Sequence, residues 1–311
     1  MTRNLVLHLA IIGLLYVLHL TLPAYHHGQT ARIMTLAVYA MGYNILFGYS
    51  GLLSLGHAMF FAAGMYGMGL SAQHLDVPTL PAFGIGILAA TALAFLVGLL
   101  ALRTIGVGFM IVTLMFSQSA YLTILYFGDY TRGDEGFVLP ASARTFMGYD
   151  FSQADTRYLA ALGLFATALL LKLWLVSSRK GRVMVAVREN EERARMLGYN
   201  SWSHKLLALT LSGTFSGAAG AAYAILFGYV GASFAAVPYS IFPLLWVLLG
   251  GAGTTLGPII GTAFMVYLID YASGWTDAYM LVVGVTLVAI TLFVRGGLMG
   301  FVRSRMVPWL P

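Results

Sequence analysis

The 311-residue sequence contains no cysteine, and only 9% of its residues are charged. The lack of cysteine excludes disulfide bridges, thiolate nucleophiles and cysteine-ligated metal sites. Soluble domains carry about 25% charged residues, so the scarcity of charge excludes a water-soluble core. The sequence also lacks the signatures of zinc proteases, serine hydrolases and nucleotide-binding P-loops. We therefore expect no catalytic site, no cofactor, no metal site and no ATP hydrolysis in this chain.

What the sequence has instead is apolar residues, which make up 59% of the chain, together with 36 glycines. At about 20 residues per span, the apolar runs leave room for about ten transmembrane helices, and glycine lets such helices pack closely. The candidate spans are 5–22, 32–47, 52–74, 82–101, 105–127, 158–176, 206–230, 238–251, 255–273 and 278–294. We predict an all-α integral membrane protein, a single polytopic domain over residues 1–311.

The distribution of Lys and Arg predicts the orientation. With both termini in the cytoplasm, 13 of the 17 cations lie inside, among them Lys172 at the end of the sixth span. This is the bias that the positive-inside rule requires. The net charge of +6 comes mostly from these loop cations, so it does not indicate nucleic-acid binding. The prediction makes 128–157 an outer loop and 177–205 a cytoplasmic loop.

The loop 177–205 is the one charge-dense island, with seven cations and three acids. Its residues 181–197 favour a helix that ends at Gly198, where a C-terminal glycine is typical. Apolar residues recur at helical spacing through it, at Met184, Val187, Ala194 and Leu197. Such a helix either lies on anionic lipid or docks into a groove on a soluble partner. The acids favour docking, since they would be repelled by a negative membrane surface.

Two glycine-rich segments, 48–64 and 250–261, share an order of Gly, hydroxyl residues, Leu-Gly and an apolar helix. Paired glycine-broken segments indicate two related halves and a substrate pathway built from broken helices. Candidate pathway residues are Asn44, Ser50, Ser54, His57, Thr254 and Thr255. An intramembrane histidine is a functional candidate by default. The alternative for each of these side chains is a hydrogen bond that joins helices.

The outer loop 128–157 is long, polar and punctuated by glycine and proline. It is either a folded cap over the entrance or a solvated connector. The neighbouring pair His26 and His27 is too small a group to predict a metal site.

Three segments resemble the bacterial branched-chain amino-acid ABC permeases of the LivM type. They are GYSGLLSLGH at 48–57, GRVMVAVREN at 181–190 and LLGGAGTTLGP at 248–258. The resemblance implies a protein of the bacterial inner membrane in which 128–157 is a periplasmic loop. It also implies a partner permease of the LivH type, two cytoplasmic ATPase subunits and a periplasmic substrate-binding protein, with alternating access as the mechanism. It also implies which residues lie in the loop that seats on the ATPase: Arg188, Glu189, Asn190, Arg193, Leu197 and Gly198.

Two other functions stay open at this point. An ion-coupled secondary transporter of a small polar solute would need an intramembrane ionisable pair, and here His57 and Asp270 are far apart in sequence. An integral-membrane enzyme would need catalytic groups that converge, and no such group is visible. Related permeases also carry urea, amides and other small solutes, which the sequence does not exclude.

Overall fold

The computed structural model describes residues 2–293 and 296–305, and over these ranges the chain is mostly helical. The α-helices are α1 (Thr2–Thr21), α2 (Ala24–Asn44), α3 (His57–His74), α4 (Thr79–Ala101), α5 (Val107–Tyr126), α6 (Gly128–Thr131), α7 (Ala154–Ser177), α8 (Arg179–Glu189), α9 (Glu191–Met196), α10 (Ser201–Phe227), α11 (Val237–Gly250), α12 (Gly257–Ser273), α13 (Tyr279–Phe293) and α14 (Gly297–Arg305). The short strands are β1 (Phe137–Val138), β2 (Thr145–Phe146), β3 (Tyr149–Asp150) and β4 (Tyr229–Val230). Arg295, one of the predicted cytoplasmic cations, and both chain ends lie outside the described residues.

Five of the helices in this part of the chain are long and apolar enough to cross a membrane. They are α4, α5, α7, α10 and most of α1, while α11 and the stretch 279–290 of α13 are apolar but shorter. A helix lies over each predicted apolar run, although α2 begins at Ala24 rather than at residue 32. The all-α membrane class is confirmed; the number of spans, the two related halves and the orientation stay predictions.

The core forms where α2, α3, α4 and α10 pack against one another. Glycine allows these helices to approach closely, because a methyl group on Gly64 of α3 would lie 2.0 Å from the carbonyl oxygen of Gly217 on α10. At Gly220 the same addition would meet the Phe61 carbonyl oxygen at 1.9 Å. Backbone contact of this kind is how helices associate in lipid, where burial of apolar side chains gives little driving force.

Both predicted helix breaks are confirmed. A π-helical turn over Ile45–Tyr49 ends α2, and irregular chain then runs to the start of α3 at His57. The second break separates α11 from α12 and contains Gly251 and Gly253, at φ of 118° and 75°. The two breaks touch, since a Cβ on Gly48 would lie 2.4 Å from the Gly253 nitrogen.

The loop 128–157 is folded and contacts the helices beneath it, which favours the cap over the solvated connector. Strand β1 pairs antiparallel with β4, directly after α10. Arg144 donates hydrogen bonds to the carbonyls of Ile225 and Leu226, at 2.8 and 3.0 Å. These carbonyls belong to the last turn of α10, where intrahelical donors run out, so the loop caps that helix.

The segment 177–205 differs from the prediction in one respect: the expected helix over 181–197 is two helices, α8 and α9. The chain is extended at Asn190, at φ −159° and ψ 102°, and the Asn190 side chain caps α9 by accepting from the Arg193 amide at 2.8 Å. Asparagine favours such a cap because its short amide competes for backbone hydrogen bonds. The predicted end is confirmed, since Gly198 adopts φ +86° after the last turn.

Candidate coupling and pathway site

Arg188 connects helix α8 to the first helix break. It lies in the last turn of α8, and its guanidinium donates a hydrogen bond to the carbonyl of Gly48. The aliphatic part of the side chain covers Gly51, where an added Cβ would lie 2.7 Å from Arg188 Cγ. The same guanidinium pairs with Glu189 at 2.5 Å. Arg188 therefore joins the last turn of α8 to the segment that follows α2.

The apolar face predicted for docking is mostly buried within the protein. Met184, Val187 and Ala194 are at most 4% exposed and pack against the helix bundle. Leu197, by contrast, is 71% exposed. Together with three exposed neighbours it forms a surface that we call the α9 tip: Met196, Leu197, Tyr199 and Trp202. Because Arg193 is also exposed, the α9 tip is an apolar patch with charge beside it.

Glu191 fixes the orientation of α9. Its carboxylate accepts from Lys205 of α10 and from Arg195, each at 2.6 Å. Partial burial would raise the pKa of Glu191, but these two cations outweigh it and hold the pKa below its ordinary value. Helix α9 is thus held against the start of α10 by an ion pair as well as by apolar packing.

Asn44 joins the two helix breaks. This fully buried amide accepts from the Gly253 nitrogen at 2.9 Å and donates to the Thr254 carbonyl at 2.7 Å. The Thr254 hydroxyl in turn donates to the Gly251 carbonyl and accepts from the Gly257 nitrogen, which caps α12. One asparagine therefore holds the end of α2 against the start of α12.

Lys172 corrects the orientation argument, because it is a buried lysine rather than a cytoplasmic surface cation. Its side chain is 0% exposed, and Nζ donates to the carbonyls of Thr255 and Thr254, at 3.1 and 3.3 Å. Nζ also lies 5.9 Å from the centre of the Tyr49 ring. A single lysine inside an apolar run is the sequence signal that could have identified it, since such residues are rarely exposed to lipid.

His8 of α1 adds a further contact to this junction, with Nε2 3.1 Å from the Thr255 hydroxyl oxygen. The predicted pathway residues Asn44 and Thr254 are thereby brought together with Thr255, and Lys172 and His8 complete the group. Sequence reasoning missed these two members. Their partners are distant along the chain, so only the packing of α1 and α7 reveals them.

His57 lies at the start of α3 and bonds to α10. Its Nε2 is 2.6 Å from the Ser212 hydroxyl, which donates its proton to the Gly42 carbonyl. Because that proton is already used, Nε2 must carry the hydrogen, and Nδ1 is a buried acceptor that makes no hydrogen bond in the described structure. Ser54 accepts from the Gly56 nitrogen, and Ser50 is also buried. In this structure His57 joins α3 to α10, and the role of the three residues in the pathway stays a prediction.

Asp270 of α12 is tied to α2 rather than to His57. Its carboxylate accepts from the Tyr25 hydroxyl and, at 3.2 Å, from Gln29. His57 instead contacts Ser212. The two candidates for an ion-coupled pair thus have different partners.

Glycine-broken helices joined by buried polar contacts are typical of membrane transport proteins. The sequence model of the family described as branched-chain amino acid transport system / permease component matches residues 28–298. The chain belongs to this family and is a LivM-type permease. Members of the family are membrane subunits of transporters rather than enzymes.

Known relatives agree with this assignment. The chain is 29% identical over 296 residues to the high-affinity branched-chain amino acid transport system permease protein LivM of Escherichia coli (strain K12), covering 88% of this chain and 69% of that protein. LivM of Salmonella typhimurium is 28% identical over 295 residues, with the same coverage. The autoinducer 2 import system permease protein LsrC of Salmonella typhi is 26% identical over 180 residues, which is 53% of this chain and 48% of that protein. No solved structure matches the chain.

Proposed function

We propose that the chain is a transmembrane subunit of an ATP-driven importer in the bacterial inner membrane, and that its substrates are branched-chain or similarly small amino acids. The names of the two LivM relatives, which match across most of this chain, support the substrate class. The autoinducer relative supports it less, because only about half of each chain is matched. A LivH-like permease, two ATPase subunits and a periplasmic binding protein complete the proposed complex.

The observation that carries the mechanism is the hydrogen bond from Arg188 to the Gly48 carbonyl. In the proposal, an ATPase subunit binds the α9 tip and moves it as nucleotide is bound. The motion passes through α9 and α8 to Arg188, because α9 follows α8 after a single residue and packs against it, and the Asn190 side chain caps α9 at their junction. Arg188 then displaces the break that follows α2.

The second half of the mechanism runs between the two breaks. Asn44 connects the first break to Gly253 and Thr254, and Lys172 holds the carbonyls of Thr254 and Thr255 from α7. A shift of one break therefore moves the other. Helix segments that reorient about such breaks would open the pathway to one side of the membrane at a time, which is alternating access. The binding protein, rather than the pathway, would supply most of the selectivity.

In this proposal the α9 tip binds the ATPase and Arg188 passes the motion on. Substitutions at the two places should therefore cause different defects. Leu197→Asp places a charge on the exposed α9 tip, so we expect loss of the ATPase during purification from native membrane. Arg188→Gln leaves the α9 tip intact but loses the charged bond to Gly48, so we expect the ATPase to be retained while uptake falls. Both effects are measured by co-purification and by amino-acid uptake in proteoliposomes with ATP enclosed.

Met147→Asp is the matched control, because Met147 is equally apolar, 83% exposed and placed in the outer loop. It should leave both ATPase retention and uptake unchanged. The importer proposal is refuted if the wild-type chain purifies without an ATPase and transports in ATP-free liposomes under an ion gradient. That result would identify a secondary transporter.

A further inference from the structure

Three potential metal ligands from three helices meet where α1 ends and α2 and α7 begin. His19 Nδ1 lies 2.8 Å from His27 Nε2, which lies 3.9 Å from a carboxylate oxygen of Asp155. All three ligand atoms lie within 4.8 Å of one another. The sequence showed only the adjacent pair of histidines in this region, and it is the turn between α1 and α2 that brings His19 to His27.

These separations are close to those that a metal ion imposes. Ligand atoms of a tetrahedral Zn²⁺ at about 2.0–2.2 Å are about 3.3–3.6 Å apart from one another. The two imidazole nitrogens, now 2.8 Å apart, need to separate by about 0.5–0.8 Å, a small adjustment for side chains near helix ends. Asp155 must move further, and it is free to do so because its side chain is 84% exposed.

The two imidazole rings are already oriented by their surroundings. The ring of the fully buried Tyr158 stacks on His27 at a centroid distance of 4.4 Å and on His19 at 5.1 Å, each with an interplanar angle of 27°. The Tyr158 hydroxyl donates to the Leu15 carbonyl of α1 at 2.8 Å, which fixes the tyrosine itself. Rings held in this way lose little freedom when an ion binds, which is what a metal site requires of its supporting residues.

We propose that His19, His27 and Asp155 bind a divalent transition-metal ion such as Zn²⁺, with water as the fourth ligand. Two imidazoles and one carboxylate with an open position are a donor set that such ions take, whereas Mg²⁺ and Ca²⁺ require oxygen ligands. The carboxylate of Asp155 would both bind the ion and balance part of its charge.

The ion would attach α1 to the rest of the protein. Helix α1 is the most peripheral of the five long apolar helices, because only 6% of the residues in its most apolar stretch are buried. Its described polar contacts with the rest of the protein include the bond from Tyr158 to Leu15 and the contact of His8 with Thr255. A metal ion bound by His19 would add a stronger connection from the C-terminal end of α1 to α2 and α7. This inference does not depend on the proposed transport function.

The test is Zn²⁺ binding by the purified full-length chain in detergent, after removal of any affinity tag, in competition with a fluorescent zinc chelator. We expect one ion per chain and a higher thermal unfolding midpoint with Zn²⁺ present. Substitution of a ligand should weaken binding by at least about tenfold, as loss of even an outer partner weakens metal sites by 10–100-fold. His19→Gln and Asp155→Asn are the two ligand variants.

Asp155→Asn keeps the proposal testable if the histidine variants fold poorly, because its exposed side chain has no packing role. The matched control is His26→Gln, since His26 adjoins His27 but contacts Tyr267 of α12 instead, at 3.3 Å. It should bind Zn²⁺ like the wild type. Co²⁺ should give the strong visible absorption of a four-coordinate site in the wild type and in His26→Gln. The proposal is overturned if the wild type and Asp155→Asn bind Zn²⁺ equally, or if the wild type binds none.

Discussion

The joint between the two helix breaks gives the most quantitative prediction, through the substitution Asn44→Ala. This change removes the acceptor of the Gly253 nitrogen and one donor to the Thr254 carbonyl. A buried N–H left without a partner costs about 1–3 kcal/mol. The Thr254 carbonyl still accepts from Lys172. Loss of its bond from Asn44 should therefore cost no more than the average of about 0.6 kcal/mol for hydrogen bonds between membrane helices. The free energy of unfolding should therefore fall by about 1.5–3.5 kcal/mol.

Reversible unfolding of the detergent-solubilised protein in increasing dodecyl sulfate measures this difference. Thr167→Ala is the control, because the Thr167 hydroxyl bonds to its own helix on an exposed face of α7. Such surface changes stay within about 0.5 kcal/mol. An Asn44→Ala protein that is destabilised no more than this control would refute the view that the amide ties the breaks together.

Two further predictions concern packing and pH. Gly64→Ala should push α3 away from α10 at the Gly217 carbonyl and lower the free energy of unfolding by about 1–3 kcal/mol in the same assay. Gly13→Ala is the control and should be neutral, because no atom lies within 4 Å of the added methyl group. Equal effects of the two substitutions would contradict the packing argument. The lowered pKa of Glu191 means that its ion pairs stabilise α9 above the ordinary glutamate pKa, and that this stability is lost as pH falls through the lowered folded value. Hydrogen-exchange protection over 191–196 should therefore drop on acidification in the wild type and stay low at every pH in Glu191→Gln. Equal protection of the wild type and the variant at every pH would contradict a stabilising role of these ion pairs.

The segment 177–205 shows where pattern reasoning succeeds and where it stops. The helical spacing of Met184 and Val187 correctly identified a buried apolar face of α8, and Gly198 correctly marked the end of α9. Spacing does not tell whether an apolar face meets a partner or the protein's own body, because both burials favour the same residues. The sequence analysis missed the break at Asn190, because asparagine is tolerated within a helix and also favoured as the cap of a new one. The residue type alone does not tell these two positions apart.

The candidate pathway residues were predicted by type, and their contacts were not. Buried polar side chains inside a membrane must find partners, so the sequence could identify Asn44 and His57 as members of a network. It could not identify Gly253 or Ser212 as those partners, which are more than 150 residues away. The misplacement of Lys172 has the same origin: near the end of an apolar run, a lysine that reaches the interface and a buried one look identical in sequence.

Properties that depend on composition and local order could be predicted from the residues alone. Scarce charge and long apolar runs indicated a helical membrane protein, and the two glycine-rich segments indicated broken helices. The order of residues in 181–190 resembled the permease family to which the chain belongs. Helix packing was needed to show that Arg188 reaches the Gly48 carbonyl, that Lys172 is buried, and that His19 and Asp155 meet His27. Each of these depends on how separate helices pack, and helix packing in lipid is set by close backbone contacts and hydrogen bonds rather than by a periodic pattern along one segment.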